Sequence, residues 1–338
     1  MKKILLTGGA GFVGHHTVEH FLKNTDWEIV VIDKLSYASD GWNRLRDIKA
    51  YDDTRVKCLS ADFSQPLTEG VKQEIGEPDI IVHMGANSHV DHSIKDPLKF
   101  EKDNVEGCLH MLEYARSLPK LERFIYFGTD EVYGSAAKGM YFMEGDRFNP
   151  GNPYSASKAS AECFCYAYSN TYKLPIQITN TMNVFGERQH PEKFIPLVID
   201  KVLNGEVVTI HSDKTRTKAG SRFYIHARNV ADALLFLIDN VEETLDSYDA
   251  SKGKFNIVGE VEMDNYELAN TIAKFLTMPL KFEFVDFHSS RPGHDLRYAL
   301  DGAKMANLGW LPPKKFEDSL QKTINWTLEN DKWLGNDK

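Results

Sequence analysis

"KILLTGGAGFVG" (3–14) decides how the rest of the chain is read. A short apolar run, "KILLT" (3–7), meets glycines at 8, 11 and 14, and a helical pattern opens there. Gly8 permits a tight turn. Gly11 lets the backbone approach a pyrophosphate seated on the helix N-terminus and its free N–H groups. Gly14 lets the helix pack close to the sheet. The plain alternative is a glycine-rich turn with no ligand. Against it, "VVID" places Asp33 at the end of the second strand, 19 residues past Gly14, and that context makes the loop a dinucleotide site. A carboxylate there accepts from ribose hydroxyls and repels a 2′-phosphate, which favours NAD over NADP, with Lys34 partly offsetting the repulsion. Asp62, ending "SAD" (60–62), is a candidate adenine-side contact or only a strand-end cap.

Outward from this loop, apolar runs alternate with helical patterns. The runs are "EIVVID" (28–33), "VKCLSAD" (56–62), "DIIVHMG" (79–85), "RFIYFGT" (123–129) and "PIQITNT" (175–181). Between them, Val105, Cys108, Leu109 and Leu112 recur at helical spacing. This alternation predicts an α/β fold, a Rossmann doubly wound parallel sheet over residues 1–182. Prolines and glycines rise afterwards, which predicts a smaller mixed α/β substrate lobe over 183–338, with about 224–242 returning to the first domain.

Composition narrows the function. With 338 residues and a net charge of -9, the chain has no basic tract fit for nucleic acid. No apolar run approaches the roughly 20 residues of a membrane span, and "MKKILLTGG" reads as a first strand rather than a signal peptide. Cys58, Cys108, Cys163 and Cys165 have no metal spacing and suit a reducing, cytoplasmic compartment. His15 and His16 are expected on different sides of a helix with no third ligand, so no metal site is expected; His83 reads as a core histidine.

Two stretches carry chemistry. "YSASKAS" (154–160) puts Tyr154 and Lys158 one helical turn apart, on one face. A lysine about 4 Å away would lower the tyrosine pKa by up to roughly three units and make it a base for a sugar hydroxyl. "GTDEVYG" (128–134) ends a strand in two adjacent carboxyls. A helix cap is the alternative reading, but "EVYGSAAKG" does not continue as a helix.

These residues resemble the extended short-chain dehydrogenase/reductase superfamily, and within it the nucleotide-sugar 4,6-dehydratase family. "DKLSYAS" (33–39), "SHVDHSI" (88–94), "GTDEVYG", "RQHPEKFIP" (188–196), "RPGHDLRYALD" (291–301) and "LGWLPPKKFEDSLQKTINW" (308–326) look like that family's blocks, in order. The resemblance implies that Glu131 is a base, Asp130 an acid and Thr129 a hydrogen-bonding partner of the sugar, beside Tyr154 and Lys158. Adjacent carboxyls suit a dehydration across two bonded carbons. One of their pKa values should rise, and the sequence does not say which. Phe12, Val13, Phe63, Met84, Gly85 and Ala86 are assigned to the cofactor with the glycines. The substrate, a nucleoside-diphospho-hexose, is assigned to Ser88, His89, Asn183, Lys193, Arg222, Arg291, His294 and Tyr298. A homodimer through helices at about 101–117 and 155–172 is implied as well. The chain departs from the family at "NVFGE" (183–187), at Asn180, and at His226 and Ala227. A 4-epimerase or decarboxylase of the same superfamily is the second reading, and needs no acid at position 130. A non-catalytic NAD-binding scaffold or sensor is a third, and would show degraded catalytic residues.

Overall fold

The computed structural model describes residues 1–286 and 296–335. Arg291 and His294 lie outside the described residues.

Six strands fall where the apolar runs predict them: β1 (Lys3–Thr7), β2 (Glu28–Asp33), β3 (Val56–Ser60), β4 (Ile80–His83), β5 (Arg123–Thr129) and β6 (Ile176–Thr181). β7 (Asn183–Phe185), β8 (Val208–Ser212) and β9 (Ser221–His226) follow, then β10 (Lys254–Ile257), β11 (Val261–Asp264) and β12 (Phe282–Asp286). The main sheet is parallel, in the order β10-β6-β5-β4-β1-β2-β3. β11-β9-β7 and β12-β8 form two small sheets in the other lobe, the first mixed in direction.

The strands are apolar throughout because both faces of the sheet are covered. Ile4, Leu6, Ile29, Val31, Ile80, Val82 and Ile125 pack on one side with Val18, Phe21, Val230, Leu234 and Leu237. The intervening Leu5, Val30, Ile32, Ile81, Phe124 and Tyr126 pack on the other with Cys108, Met111, Leu112, Ala161 and Cys165. Each such aliphatic side chain contributes about 1.5–3 kcal/mol on burial.

The segment after β9 divides. β9 itself belongs to the small sheet, while the helix Ala227–Asn240 packs against the first helix, Phe12–Asn24. Lys254–Ile257 then enters the main sheet as its seventh strand, outside the stretch expected to return. Among the described residues no helix is long and apolar enough to cross a membrane.

The sheet order reverses between β1 and β4, which opens a crevice at the carboxyl ends of the strands. The glycine loop, Asp33, Met84–Ser88, Thr129–Glu131 and Thr181–Phe185 all emerge there.

Candidate active site

One cleft of about 380 Å³ lies along that edge. Gly8, Gly11, Phe12, Val13, Gly14, Asp33, Lys34, Phe63, Met84, Gly85, Ala86, Ser88, Thr129, Asp130, Glu131, Tyr154, Lys158, Asn183 and Lys193 line it, so most of the residues singled out above come together. Asp62, His89, Arg222 and Tyr298 do not line it.

The glycine loop has the shape expected of a pyrophosphate cradle. Gly8 has φ +69°, and a Cβ on it would sit 2.7 Å from Gly85 Cα. A Cβ on Gly14 would sit 2.3 Å from Gly8 O, so helix and turn touch only because residue 14 is glycine. The helix begins at Phe12 with Gly11 as a cap that offers no side chain, which leaves its first N–H groups open to an anion. Asp33 is buried at the end of β2; its oxygens accept from Ala10 N at 3.1 Å and Leu35 N at 2.8 Å, and burial raises its pKa. Each oxygen keeps a lone pair for a ribose hydroxyl. Lys34 pairs with Asp103 at 2.6 Å, and its charge still acts weakly on Asp33, favouring the carboxylate. Asp62 is exposed and accepts from Ser64 N at 2.9 Å, and it lies outside the residues that line the cleft. These donors and spaces fit a dinucleotide.

At the end of β5 the chain turns through one 3-10 turn, Asp130–Tyr133, with Thr129 Oγ1 accepting from Glu131 N at 3.4 Å. The cap reading therefore describes the local backbone, but only for a single turn, and both carboxyls still line the cleft. Asp130 is buried; Thr129 Oγ1 donates to its Oδ1 at 3.1 Å, while its Oδ2 has no hydrogen-bond partner among the described residues. Burial, then the neighbouring Glu131 charge, pushes its pKa up to about 7, against the pull of Arg222. Asp130 is thus the carboxyl inclined to hold a proton. Glu131 Oε2 accepts from Asn152 Nδ2 at 3.3 Å and from Tyr298 Oη at 3.4 Å.

Tyr154 and Lys158 are presented by the helix Pro153–Tyr172, which starts with Pro153 in its first turn and a reciprocal cap between Asn152 and Ser155. Their relationship differs from the sequence expectation. Lys158 Nζ donates to Phe127 O at 2.7 Å and lies 4.2 Å from the centre of the Tyr126 ring. Its charge is directed beneath β5, and burial lowers its pKa to about 8. The Tyr154 pKa is raised rather than lowered, by burial and then by the charge of Glu131, with a Thr129 hydrogen bond opposing.

Of the substrate assignments, Arg222 is buried, stacks at 4.4 Å over Tyr298, and donates to Ser221 O and Leu296 O. It braces Tyr298, and through it Glu131. His89 stands at the cleft mouth, 3.6 Å from Glu192. His15 and His16 do not diverge: both are buried with ring centres 4.0 Å apart, His15 on Gly11 O and His16 on Glu187 O. His83 is a core residue bonded to Thr7 Oγ1 at 2.8 Å.

Several functional contacts escaped the sequence reading. Asn152 caps the helix that carries Tyr154 and donates to Glu131 Oε2, a contact that joins positions 21 residues apart. Arg44, buried, donates to Ala38 O, Ser39 O and Arg188 O and so holds the rim formed by "SYAS". Tyr37, His190 and Glu192 line the cleft beside it.

The model of the NAD dependent epimerase/dehydratase family matches residues 4–257. The chain belongs to that family. Its curated relatives include a dTDP-glucose 4,6-dehydratase of Neisseria meningitidis serogroup B, 35% identical over 99% of this chain and 96% of its own length. Among solved structures it is similar to DesIV, a dTDP-glucose 4,6-dehydratase from Streptomyces venezuelae crystallised with NAD, at 32% identity, 98% of each chain and a TM-score of 0.85. A dTDP-glucose 4,6-dehydratase from Bacillus anthracis in complex with NAD gives 30% identity, 99% of each chain and a TM-score of 0.85. Within the family, these relatives place the chain with the nucleotide-sugar 4,6-dehydratases.

Proposed function

We propose that this chain is an NAD-dependent NDP-glucose 4,6-dehydratase, acting on dTDP- or UDP-glucose and releasing the 4-keto-6-deoxy sugar nucleotide. The observation that carries the reading is Asp130: a buried carboxyl with a free oxygen and a pKa near 7, side by side with a Glu131 held by two donors.

Gly8, Gly11, Gly14 and the start of the first helix would hold the pyrophosphate of NAD, and Asp33 a ribose. NAD held there would supply a cationic nicotinamide, the chemistry needed to take hydride from C4 of the sugar and to give it back at C6. A positive charge in the cleft also favours tyrosinate, which Lys158 alone does not achieve here. Tyr154 then takes the C4 hydroxyl proton, with Thr129 holding the same oxygen. The 4-ketone acidifies C5–H. Glu131 removes that proton while Asp130 protonates the departing C6 hydroxyl, and water leaves between them. Glu131 finally returns a proton to C5. Asn183 and Lys193 line the substrate end of the cleft and are the donors proposed for the diphosphate; Ser88 is proposed for the sugar.

A 4-epimerase has no use for an acid at Asp130, and a scaffold has no use for the full set. Incubation with NAD and dTDP- or UDP-glucose separates the three. A 4-keto product that absorbs in alkali supports the dehydratase, an epimerised sugar the second reading, and unchanged sugar the scaffold. We also infer a cytoplasmic homodimer. Four unpaired cysteines suit a reducing compartment, and the partly exposed Phe164 and Tyr172 on the helix Pro153–Tyr172 suit a covered face.

A further inference from the structure

At the mouth of the cleft three chain segments meet around one carboxylate. His89 caps the helix Val90–Lys95, and His92 follows one turn later, their rings stacked with centres 4.3 Å apart. Glu192 comes from the loop after β7, with Oε2 3.6 Å from His89 Nε2. Tyr37, from the loop after β2, donates to Glu192 Oε1 at 3.1 Å and lies 3.1 Å from His92 Nδ1. His190 Nδ1 stands 3.5 Å from the same Oε1.

Hydrogen bonding does not account for His89. Among the described residues its Nδ1 is buried without a hydrogen-bond partner, and its Nε2 stops short of hydrogen-bond distance from Glu192. The gap has another fit. One ligand atom from each of His89, His92 and Glu192 can be chosen so that all lie within 4.8 Å of one another. A zinc ion with bonds of about 2.0–2.2 Å holds tetrahedral nitrogen and oxygen ligands roughly 3.4 Å apart, close to the His89–Glu192 separation. Two imidazoles and a carboxylate are a donor set for a borderline divalent ion, with a fourth position left open. Tyr37 would then act as the outer partner that orients Glu192. Asp91 adds negative charge near His89, and Lys193 opposes it.

We propose that His89, His92 and Glu192 form a three-ligand site for a divalent transition cation of the zinc class. The site joins the loops carrying Tyr37 and Glu192 to the helix carrying His92, across the mouth of the cofactor cleft. It is independent of which sugar the enzyme takes.

The test uses the untagged full-length protein, stripped with a chelator and titrated with Zn²⁺ alone against a chromophoric competitor. Wild type should take up one equivalent and melt higher with the metal. His92→Ala and Glu192→Gln should each bind at least ten-fold more weakly and lose the thermal gain, while their metal-free melting curves match wild type. Co²⁺ should give the intense visible bands of a tetrahedral site in wild type only. No uptake by wild type, or equal uptake by the double variant His92→Ala/Glu192→Gln, would overturn the proposal.

Discussion

Asn180 Nδ2 donates to Glu162 Oε1 at 2.6 Å, and the same amide reaches Thr129 O at 3.1 Å. Glu162 is in turn paired with Lys254 at 2.9 Å, and all three residues are fully buried. A chain of polar contacts therefore runs from the seventh strand of the sheet to the residue before the carboxyl pair. It also explains Gly128, where a Cβ would meet Asn180 Nδ2 and Glu162 Oε1 at 2.7 Å. Asn180, a departure from the family pattern, belongs to this brace and lies behind the strand end.

Breaking the pair from one side should be costly. Lys254→Met leaves a buried carboxylate without its counter-charge, a change of about 3–5 kcal/mol in comparable cases. Lys254→Met/Glu162→Leu should recover most of that loss. A double-mutant cycle by urea denaturation measures it; additive effects would show that the pair is not coupled.

The acid should reveal itself by pH. Asp130 has a folded pKa near 7 against 3.8 for the free group. The folded state favours its protonated form, so that contribution to stability is whole below about pH 4 and gone once the pH has risen through the folded value. Asp130→Asn should therefore gain stability relative to wild type on going from pH 4 to pH 8, by about 4 kcal/mol. The turnover of wild type should fall along one proton ionisation above about pH 7, because the acid form is lost. Melting curves and a pH–rate profile check the two statements separately.

Glu131 should be more sensitive than its holders. Glu131→Gln removes the base and should lower turnover by about 10²–10⁴-fold. Asn152→Ala and Tyr298→Phe each delete one donor to Oε2, and a loss of about ten-fold is expected from a single hydrogen bond of roughly 1.5 kcal/mol. For Asn152→Ala the effect should fall on kcat rather than KM, since Asn152 acts through Glu131; a rise in KM confined to Tyr298→Phe would mark Tyr298 as a substrate contact as well.

Gly14→Ala should abolish dinucleotide retention. The added carbon would lie 2.3 Å from Gly8 O, so either the turn or the helix must move. NAD content of the purified protein reads this out directly. Retention at wild-type level would mean the cofactor sits elsewhere.

Much of the site was readable along the chain because its spacing is local. The glycine loop, Asp33, the Asp130–Glu131 pair and the Tyr154–Lys158 turn each lie within one element or one loop, and sequence separation there maps directly onto distance. The contacts that were missed join residues brought together only by topology. Tyr298 reaches Glu131 from 167 positions away, and Glu192 reaches His89 across the cleft. Lys158 was legible as a residue but not as a direction, because the carbonyl of Phe127 competes for its charge. β10 was too short and too polar at its start, Lys254, to stand out as a buried strand; its lysine is tolerated only because Glu162 waits beneath it.

The central claim is that Asp130 and Glu131 share the expulsion of water. The double variant Asp130→Asn/Glu131→Gln, supplied with NAD and dTDP-glucose, addresses it most directly. Oxidation at C4 should still occur, so reduced nicotinamide should accumulate to at most one per site while no 6-deoxy ketosugar forms. Release of the 6-deoxy ketosugar at the wild-type rate would contradict the claim.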